Sequence, residues 1–230
     1  MFNIRQLGRA VLKPELFFGR TIINLFHSIY YANTDCWHKN RFLDFPIYQC
    51  PFDMHAYQEL IFRIKPSYIL QTGVAEGGSI VYFCNLLDLI KAPDSTIVIG
   101  IDIKIQDRIR HYVHPRIRLI EGSSTSQETM SKVSKLIQQP NGLICLDSDH
   151  SAKHVAEELR LYSTFVSVGS YLVVEDTNIN GHPVLKSFGP GPLEAVRDFL
   201  AQNKHFEQDD CVWKRNLFSF HQKGWLVRRY

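Results

Sequence analysis

The sequence predicts one large α/β domain whose mostly parallel sheet carries helices on both faces. Strand-like and helix-like patterns alternate five times after about residue 56, and such alternation is typical of doubly wound parallel sheets. The chain ends in two strand-like runs with no helix between them, which predicts a β-hairpin that adds an antiparallel strand at the sheet edge. At 230 residues the chain is long enough for this domain and an N-terminal extension.

The individual elements follow from apolar periodicity and from the residues that interrupt it. The first helix ends before Pro66, because proline disfavours the helical conformation of the residue preceding it. The last helix has Pro192 near its first turn, where proline is well tolerated. The predicted strands are 67–73, 96–103, 116–122, 142–149 and 170–177, the predicted helices are 57–64, 79–92, 126–139, 154–166 and 191–203, and the terminal strand-like runs are 206–213 and 217–229.

Composition and charge exclude several classes of partner and site. The net charge is only +3, and Lys and Arg are spread along the chain, so we expect no nucleic-acid partner. The five cysteines form no C-x-x-C pair, which favours a reducing, cytoplasmic compartment over a disulfide framework or a zinc site. No apolar run approaches the ~20 residues of a membrane span, so we expect no transmembrane segment.

Residues 1–50 are interpreted as a helical extension and residues 51–230 as the domain. Residues 1–32 alternate basic and bulky apolar side chains at helical spacing, and they lack the apolar centre and cleavage site of a signal peptide. A helix that docks on the domain is the favoured interpretation. A helix at a membrane surface, which would make the protein membrane-peripheral, and a helix that forms a homo-oligomer stay open as alternatives.

Polar or glycine residues follow every one of the five predicted internal strands. In doubly wound sheets, ligands bind beyond the carboxyl ends of the strands. Helix capping explains one or two such ends but not all of them together. The sequence therefore predicts a binding site at this edge of the sheet. The strand ends are QTGVAEGGS, Asp102, EGSS, DSDH and EDTNING.

Glycines between the first strand and its helix predict a loop that approaches a ligand closely. Gly73, Gly77 and Gly78 follow the spacing G-x-x-x-G-G, which differs from the G-x-G-x-x-G of dinucleotide-binding turns and is a weak signal alone. Asp102 ends the second strand, 29 positions after Gly73, where an acid can accept hydrogen bonds from both hydroxyls of a ribose. The alternative interpretation of Asp102 is an ordinary surface turn residue.

Acidic residues at the ends of strands four and five predict a metal site. Asp147 ends the fourth strand, and Glu175 and Asp176 end the fifth. Because adjacent parallel strands lie about 4.8 Å apart, these carboxylates can converge on one point. Without a cation they would repel one another, and together they suit Mg²⁺, Mn²⁺ or Ca²⁺. His150, beside this cluster, is interpreted as a general base, although alone it would be an ordinary core or solvated histidine.

Four stretches of the chain resemble the cephalosporin hydroxylase family, a group of S-adenosylmethionine-dependent methyltransferase-like proteins related to sugar O-methyltransferases. The resemblance covers about residues 36 to 230 and implies a Rossmann-like class I methyltransferase fold, in which a seven-stranded sheet contains one antiparallel strand. The stretches are CPFDMHAYQELIFRIKPSYILQTGVAEGGSI, LICLDSDHSAKHVAEELRLYSTFVSVGSYLVVEDTNING, GPGPLEAVRDFL and GWLVRR.

The resemblance also implies a role for each residue at the strand ends. Related metal-dependent O-methyltransferases hold Mg²⁺ with acids at the ends of strands four and five, which matches the three acids above. Asp149 either replaces Asp147 as a metal ligand or joins His150 as a catalytic residue. The cofactor-binding set is Gly73, Glu76, Gly77, Gly78 and Ser79 around the methionine part, Asp102 at the ribose, Ser123 and Ser124 at the adenine, and Asp147.

Gln71 departs from the family pattern, which usually has an acid two residues before Gly73. That acid helps to hold the amino-acid end of the cofactor. A neutral amide can still accept a hydrogen bond from an ammonium group, but it gives up the charge attraction. Glu76, in the same loop, is the residue placed to compensate.

The leading hypothesis is an O-methyltransferase that uses S-adenosylmethionine and Mg²⁺ (or Mn²⁺) on a hydroxyl of a sugar, glycan or glycosylated metabolite. The expected partner is therefore a small molecule or a glycan. The family name also implies a hydroxylase role in secondary metabolism, but the sequence has no clear 2-His-1-carboxylate iron motif. A non-catalytic methyltransferase-fold partner with weakened cofactor binding is the alternative that Gln71 favours.

Overall fold

The computed structural model describes residues 17–137 and 141–230. The helices are α1 (Phe17–Ala32), α2 (Thr34–Trp37), α3 (Pro51–Ile64), α4 (Gly78–Leu89), α5 (Asp107–Arg110), α6 (Gln127–Leu136), α7 (Ala152–Tyr162), α8 (Pro192–Gln202) and α9 (Cys211–Lys214), with a 3₁₀ turn at Ser163–Phe165. The strands are β1 (Arg41–Phe42), β2 (Phe45–Pro46), β3 (Tyr68–Thr72), β4 (Ile97–Asp102), β5 (Ile117–Glu121), β6 (Gly142–Leu146), β7 (Tyr171–Val174), β8 (Phe206–Gln208) and β9 (Trp225–Arg228).

One seven-stranded sheet organises the domain, with strand order β5-β4-β3-β6-β7-β9-β8. Strands β3 to β7 pair in parallel, and β9 is antiparallel to both of its neighbours. The predicted doubly wound, mostly parallel sheet with one antiparallel strand in its C-terminal part is confirmed. From β3 the chain builds outward in one direction through β4 and β5, and then in the other through β6 and β7. The crevice between β3 and β6 is therefore the switch point where such sheets bind ligands.

The two faces of the sheet bury separate apolar clusters. Ile69 of β3 packs with α3 and α4 on one face, whereas its neighbour Leu70 packs with α7 and α8 on the other. This alternation follows from the two-residue period of a strand, and both faces are apolar because helices cover both. Burial on both sides fixes the strand register and hence the position of every strand end.

The C-terminal strand-like runs form shorter strands than their apolar pattern predicts. The run 206–213 pairs only over β8, because Oδ1 of Asp209 accepts the backbone N–H of Cys211 at 3.0 Å where the one-turn helix α9 begins. The run 217–229 is a strand only over β9. A short helix thus lies where the sequence predicts none. The predicted helix 126–139 ends at Leu136, and residues 138–140 lie outside the described residues.

Helix α1 packs on a third, small cluster rather than on the two large ones. This cluster contains Phe218 and Phe220, with Tyr30 and Tyr31 packed against it. The buried His27 of α1 also lies against the loop after β7. Neither large cluster contains a residue of α1, so α1 is attached to the domain only locally. Within the part of the chain that the structure describes, no helix has both the length and the apolar character needed to cross a membrane.

We propose the division into an extension, residues 1–50, and a domain, residues 51–230, and we expect residues 1–35 to be dispensable for folding. A chain that begins at residue 36 keeps both large clusters and should unfold cooperatively, at a lower melting temperature because Phe218 and Phe220 lose their cover. Circular dichroism during heating measures this. A truncated chain that is molten or insoluble would show that α1 is integral to the fold.

Candidate active site

The loop after β3 meets the end of β6 at the switch point. Gly73 has a φ of +76°, and a Cβ added there would lie 1.8 Å from the carbonyl oxygen of Asp147. No other residue type fits so close to a neighbouring backbone, and only glycine adopts this conformation without strain. Gly73 therefore lets the glycine-rich loop lie directly against the first acidic residue of the site.

Asp102 holds the same loop from the other side. Its Oδ2 accepts hydrogen bonds from the backbone N–H groups of Val74 at 2.8 Å and Ala75 at 3.1 Å, and its Oδ1 accepts one from Lys104 at 3.0 Å. A carboxylate offers about four lone-pair positions, so these bonds leave room for a ligand hydroxyl. The residue predicted to bind a ribose thus also shapes the loop.

A cavity of about 470 Å³ opens at these strand ends, a size typical of small-molecule and cofactor sites. It brings together most of the predicted cofactor residues. Gly77 is not among them; it has a φ of +88°, and a Cβ there would meet Ile109. The predicted residues that line the cavity are Gly73, Glu76, Gly78, Ser79, Asp102, Ser123, Ser124, Asp147 and Asp149, and those that the sequence analysis missed are Pro46, Ile47, Tyr48, Gln49, Val74, Ala75, Ile101, Ile103, Gly122, Ser148 and His154.

Gln71, the residue that departs from the family pattern, presents an unpaired acceptor at this cavity. Its amide nitrogen donates to the carbonyl oxygen of Gly73 at 2.7 Å. Its Oε1 is buried and has no hydrogen-bond partner among the described residues, and Gln71 lines the cavity. A buried acceptor of this kind needs a donor. The ammonium group of S-adenosylmethionine would supply one, so the residues present fit this cofactor.

Asp147, His150 and Asp176 converge beside the cavity. Each contributes one potential ligand atom, and these atoms lie within 4.8 Å of one another. His150 Nε2 lies 3.3 Å from Oδ2 of Asp176. Asp176 has a φ of +52°, a conformation that costs a residue with a side chain about 1–3 kcal/mol. Strain at this point is typical of functional loops.

The carboxyl group of Glu175 lies next to this cluster but is taken up by other protein groups. It is 1% exposed. Tyr57 donates its hydroxyl to Oε1 at 2.6 Å, and the side-chain amide of Gln49 donates to Oε2. The structure thus brings two of the three predicted acidic ligands together with His150, and it places the third behind them.

The acids of the site lie close enough together to disfavour ionisation, which shows in their pKa values. Burial, and then the charges of Glu175 and Asp176, hold the pKa of Asp147 well above its usual range. Burial also raises the pKa of Asp176, and it raises that of Glu175 to about 8. Among the described residues, no Lys or Arg forms an ion pair with these three carboxylates. Oxygen donors that lack a cation suit a hard divalent ion such as Mg²⁺ or Mn²⁺.

Asp149 lies apart from the cluster, at the exposed start of α7. Its Oδ1 accepts the backbone N–H of Ser151 at 2.7 Å, and hydrogen bonds with Ser151 lower its pKa. His154, one turn into α7, lies 3.0 Å from the hydroxyl of Ser124 and 3.6 Å from the buried Glu158. His154 and Glu158 are spaced i, i+4 within the predicted helix 154–166, and this spacing is the sequence signal that could have found His154.

Comparison with known proteins identifies relatives over nearly the whole chain. A family model described as Rhamnosyl O-methyltransferase/CmcI matches residues 34–229. The rhamnosyl O-methyltransferase of Mycobacterium tuberculosis (strain H37Rv) is 38% identical over 226 residues, which cover 95% of this chain and 91% of the relative. The protein of the same name from Mycobacterium leprae is 34% identical over 232 residues and covers 100% of both chains.

Solved structures of low sequence identity share the fold. An apo structure of CmcI has a TM-score of 0.66 at 18% identity, covering 84% of this chain and 77% of CmcI. CmcI with Mg and SAM has a TM-score of 0.64 at 18% identity and covers 84% of this chain and 78% of that one. An O-methyltransferase from Bacillus cereus in complex with SAH has a TM-score of 0.54 at 12% identity, and the match covers 98% of this chain and 97% of that one. These neighbours confirm the predicted Rossmann-like methyltransferase fold.

Replacing Asp102 by Ala should weaken S-adenosylmethionine binding more than tenfold, on the order of 1.4 kcal/mol or more. The glycine-rich loop would lose the hydrogen bonds from Val74 and Ala75, and the cofactor would lose a hydrogen-bond acceptor. Titration calorimetry measures the affinity.

The matched control is Glu121→Ala. Glu121 ends the neighbouring strand opposite Asp102, and its carboxylate accepts hydrogen bonds from Arg110 and from the backbone N–H of Ile105, neither of which lines the cavity. The Glu121 variant should bind S-adenosylmethionine with an affinity within about threefold of the wild type. Equal affinities for the Asp102 variant and the wild type would refute the cofactor assignment.

Proposed function

This chain belongs to the Rhamnosyl O-methyltransferase/CmcI family, and from that premise we propose that it is an S-adenosylmethionine- and divalent-metal-dependent O-methyltransferase that acts on a hydroxyl group of a sugar, glycan or glycosylated metabolite. Family membership confirms the resemblance seen in the sequence. The names of the mycobacterial relatives, 34–38% identical, support a sugar hydroxyl as the acceptor.

The convergence of Asp147, His150 and Asp176 beside the cavity is the observation that carries the proposal. Asp147 connects the acidic cluster to the cavity. Its side chain is in the cluster, and its backbone lies against Gly73 of the glycine-rich loop. A donor cofactor in the cavity and an acceptor at the acids would therefore be neighbours. Holding two reactants side by side is the main catalytic contribution that methyl transfer requires.

The acidic cluster supplies the residues that would hold a divalent cation, Asp147 and Asp176 first and Glu175 behind them. When bound, such a cation lowers the pKa of an acceptor hydroxyl and orients it. His150 would take the hydroxyl proton at Nε2, which lies 3.3 Å from Oδ2 of Asp176.

The proposed cofactor contacts follow the lining of the cavity. Gln71 and the glycine loop at Gly73 face the methionine part, Asp102 the ribose, and Ser124, with His154 behind it, the adenine. Gln71 Oε1 accepts from the ammonium group. The resemblance to the family implies an acid at this position, and Gln71 puts a neutral acceptor there, so we expect binding that depends less on charge.

Two other functions have less support. An iron hydroxylase would need two histidines and one carboxylate, whereas the convergent set has one histidine and two carboxylates. A non-catalytic partner is favoured only by Gln71, and the unpaired Oε1 of that residue fits a bound ammonium. Methyl transfer to a sugar by the purified protein would separate an enzyme from a non-catalytic partner.

We propose that the reaction takes place in the cytoplasm. We also propose that the N-terminal extension binds a second copy of the chain. The cysteines within the described residues are free, which suits a reducing compartment. Helix α1 exposes Ile22, Leu25, Phe26 and Ile29 at helical spacing, and an apolar row of this kind is typical of an interaction face. The chain that begins at residue 36 should then sediment as a smaller species than the full chain. Equal sedimentation together with loss of lipid-vesicle binding would favour the membrane surface instead.

Replacing His150 by Ala should lower methyl transfer at least about 100-fold and leave Mg²⁺ affinity within a few-fold, because the carboxylates remain. Transfer of a labelled methyl group to a rhamnoside measures the rate, and calorimetry measures the metal affinity.

The matched control is His114→Ala. His114 comes just before β5, lies 3.1 Å from the carboxylate of Asp88, and does not line the cavity. That variant should keep the wild-type rate. A His150 variant that is as fast as the control would show that another group takes the proton.

A further inference from the structure

A single imidazole lies against both acidic residues at the end of β7. His221, in the turn before β9, is 1% exposed. Its Nδ1 accepts the backbone N–H of Asp176 at 3.0 Å. Its Nε2 lies 3.3 Å from Oε2 of Glu175. Neither contact was foreseeable from the sequence, in which His221 is 45 positions from Asp176.

These contacts determine which ring nitrogen carries the proton. A backbone N–H can only donate, so Nδ1 must be the acceptor. Nε2 then carries the hydrogen and donates it to Oε1 of Gln49 at 3.3 Å, and the amide of Gln49 in turn donates to the Glu175 carboxyl group. One ring thus fixes a backbone amide and a neighbouring side chain together.

The ring is itself held by residues from two other parts of the chain. Nε2 lies 3.3 Å from Oε1 of Gln49 and 3.7 Å from Oδ2 of Asp53. The same Asp53 oxygen accepts the backbone N–H of Phe220 at 2.8 Å and so anchors the residue before His221. Gln49 also donates to Glu175, which closes a network around the ring.

Asp176 needs such a hold because its backbone is in the left-handed region, with a φ of +52°. A residue with a side chain stays there only when its surroundings impose it. The Nδ1 bond is made to the N–H group of this residue. Removing the ring would free the backbone to relax and turn the Asp176 carboxylate away from Asp147.

We propose that His221 is a positioning residue that orients Glu175 and Asp176 for the divalent cation. The inference rests on the proposed function, because it assumes that these acids hold a metal. His221 is not among the described residues that line the cavity. Groups that orient metal ligands from behind typically change metal affinity 10–100-fold when they are removed.

The test compares His221→Phe with His27→Phe, and both are read out by Mn²⁺ binding in the absence of substrate. Each variant replaces a fully buried imidazole by an aromatic ring, and His27 touches none of the acidic ligands. We expect the His221 variant to bind Mn²⁺ at least about tenfold more weakly, with S-adenosylmethionine affinity of the metal-free protein within about threefold. The His27 variant should bind Mn²⁺ as the wild type does.

His221→Asn supplies a gentler change if the Phe variant does not fold. The Asn oxygen can still accept the Asp176 N–H, but the side chain is too short to reach Gln49, which holds Glu175. Mn²⁺ affinity should therefore fall by less than in the Phe variant. A folded His221 variant with Mn²⁺ affinity within twofold of the wild type would overturn this inference alone. A wild type that binds no Mn²⁺ would overturn the proposed function together with it.

Discussion

The structure depends on one electrostatic constraint: carboxylates end two adjacent parallel strands, and the described protein supplies no cation to neutralise them. Leu146 of β6 pairs with Val174 of β7, so the residues that follow, Asp147 and Glu175, leave the sheet side by side. Burial makes their mutual repulsion larger than it would be in water. The site must therefore keep protons on these acids or take up a positive ion.

The groups around the acids favour the uptake of a positive ion over the retention of protons. Tyr57 and Gln49 donate hydrogen bonds to Glu175 as neutral groups, and His221 holds Gln49 in turn. These groups keep the carboxyl group in one place without supplying a positive charge. A lysine or arginine there would form a permanent ion pair and remove the affinity for a metal. Neutral donors leave the charge available to a divalent ion, whose binding then stabilises the fold.

The sequence predicts the sheet and the location of the site because both follow from local patterns. Buried strands are apolar runs, and their carboxyl ends are where the runs stop, so Asp102 and Asp147 could be placed at the same edge without coordinates. The direction of each acidic side chain could not be predicted in the same way. Glu175 turns toward Tyr57 and Gln49, which lie 118 and 126 positions away in the chain, and no local pattern reports such contacts. The short helix α9 was missed because an aspartate turn outweighs the strand-like character of the residues around it.

The stability of the metal-free protein as a function of pH tests the central claim most directly. The pKa of Glu175 is raised from an ordinary 4.5 to about 8 in the folded state, so its contribution is full below pH 4.5 and is lost as the pH rises through about 8. Urea denaturation in the presence of a chelator should show a lower free energy of unfolding at about pH 8.5 than at about pH 6. Mg²⁺ should restore the loss, and Glu175→Gln should reduce both effects. A wild type whose stability is the same at both pH values and does not respond to Mg²⁺ would contradict the account.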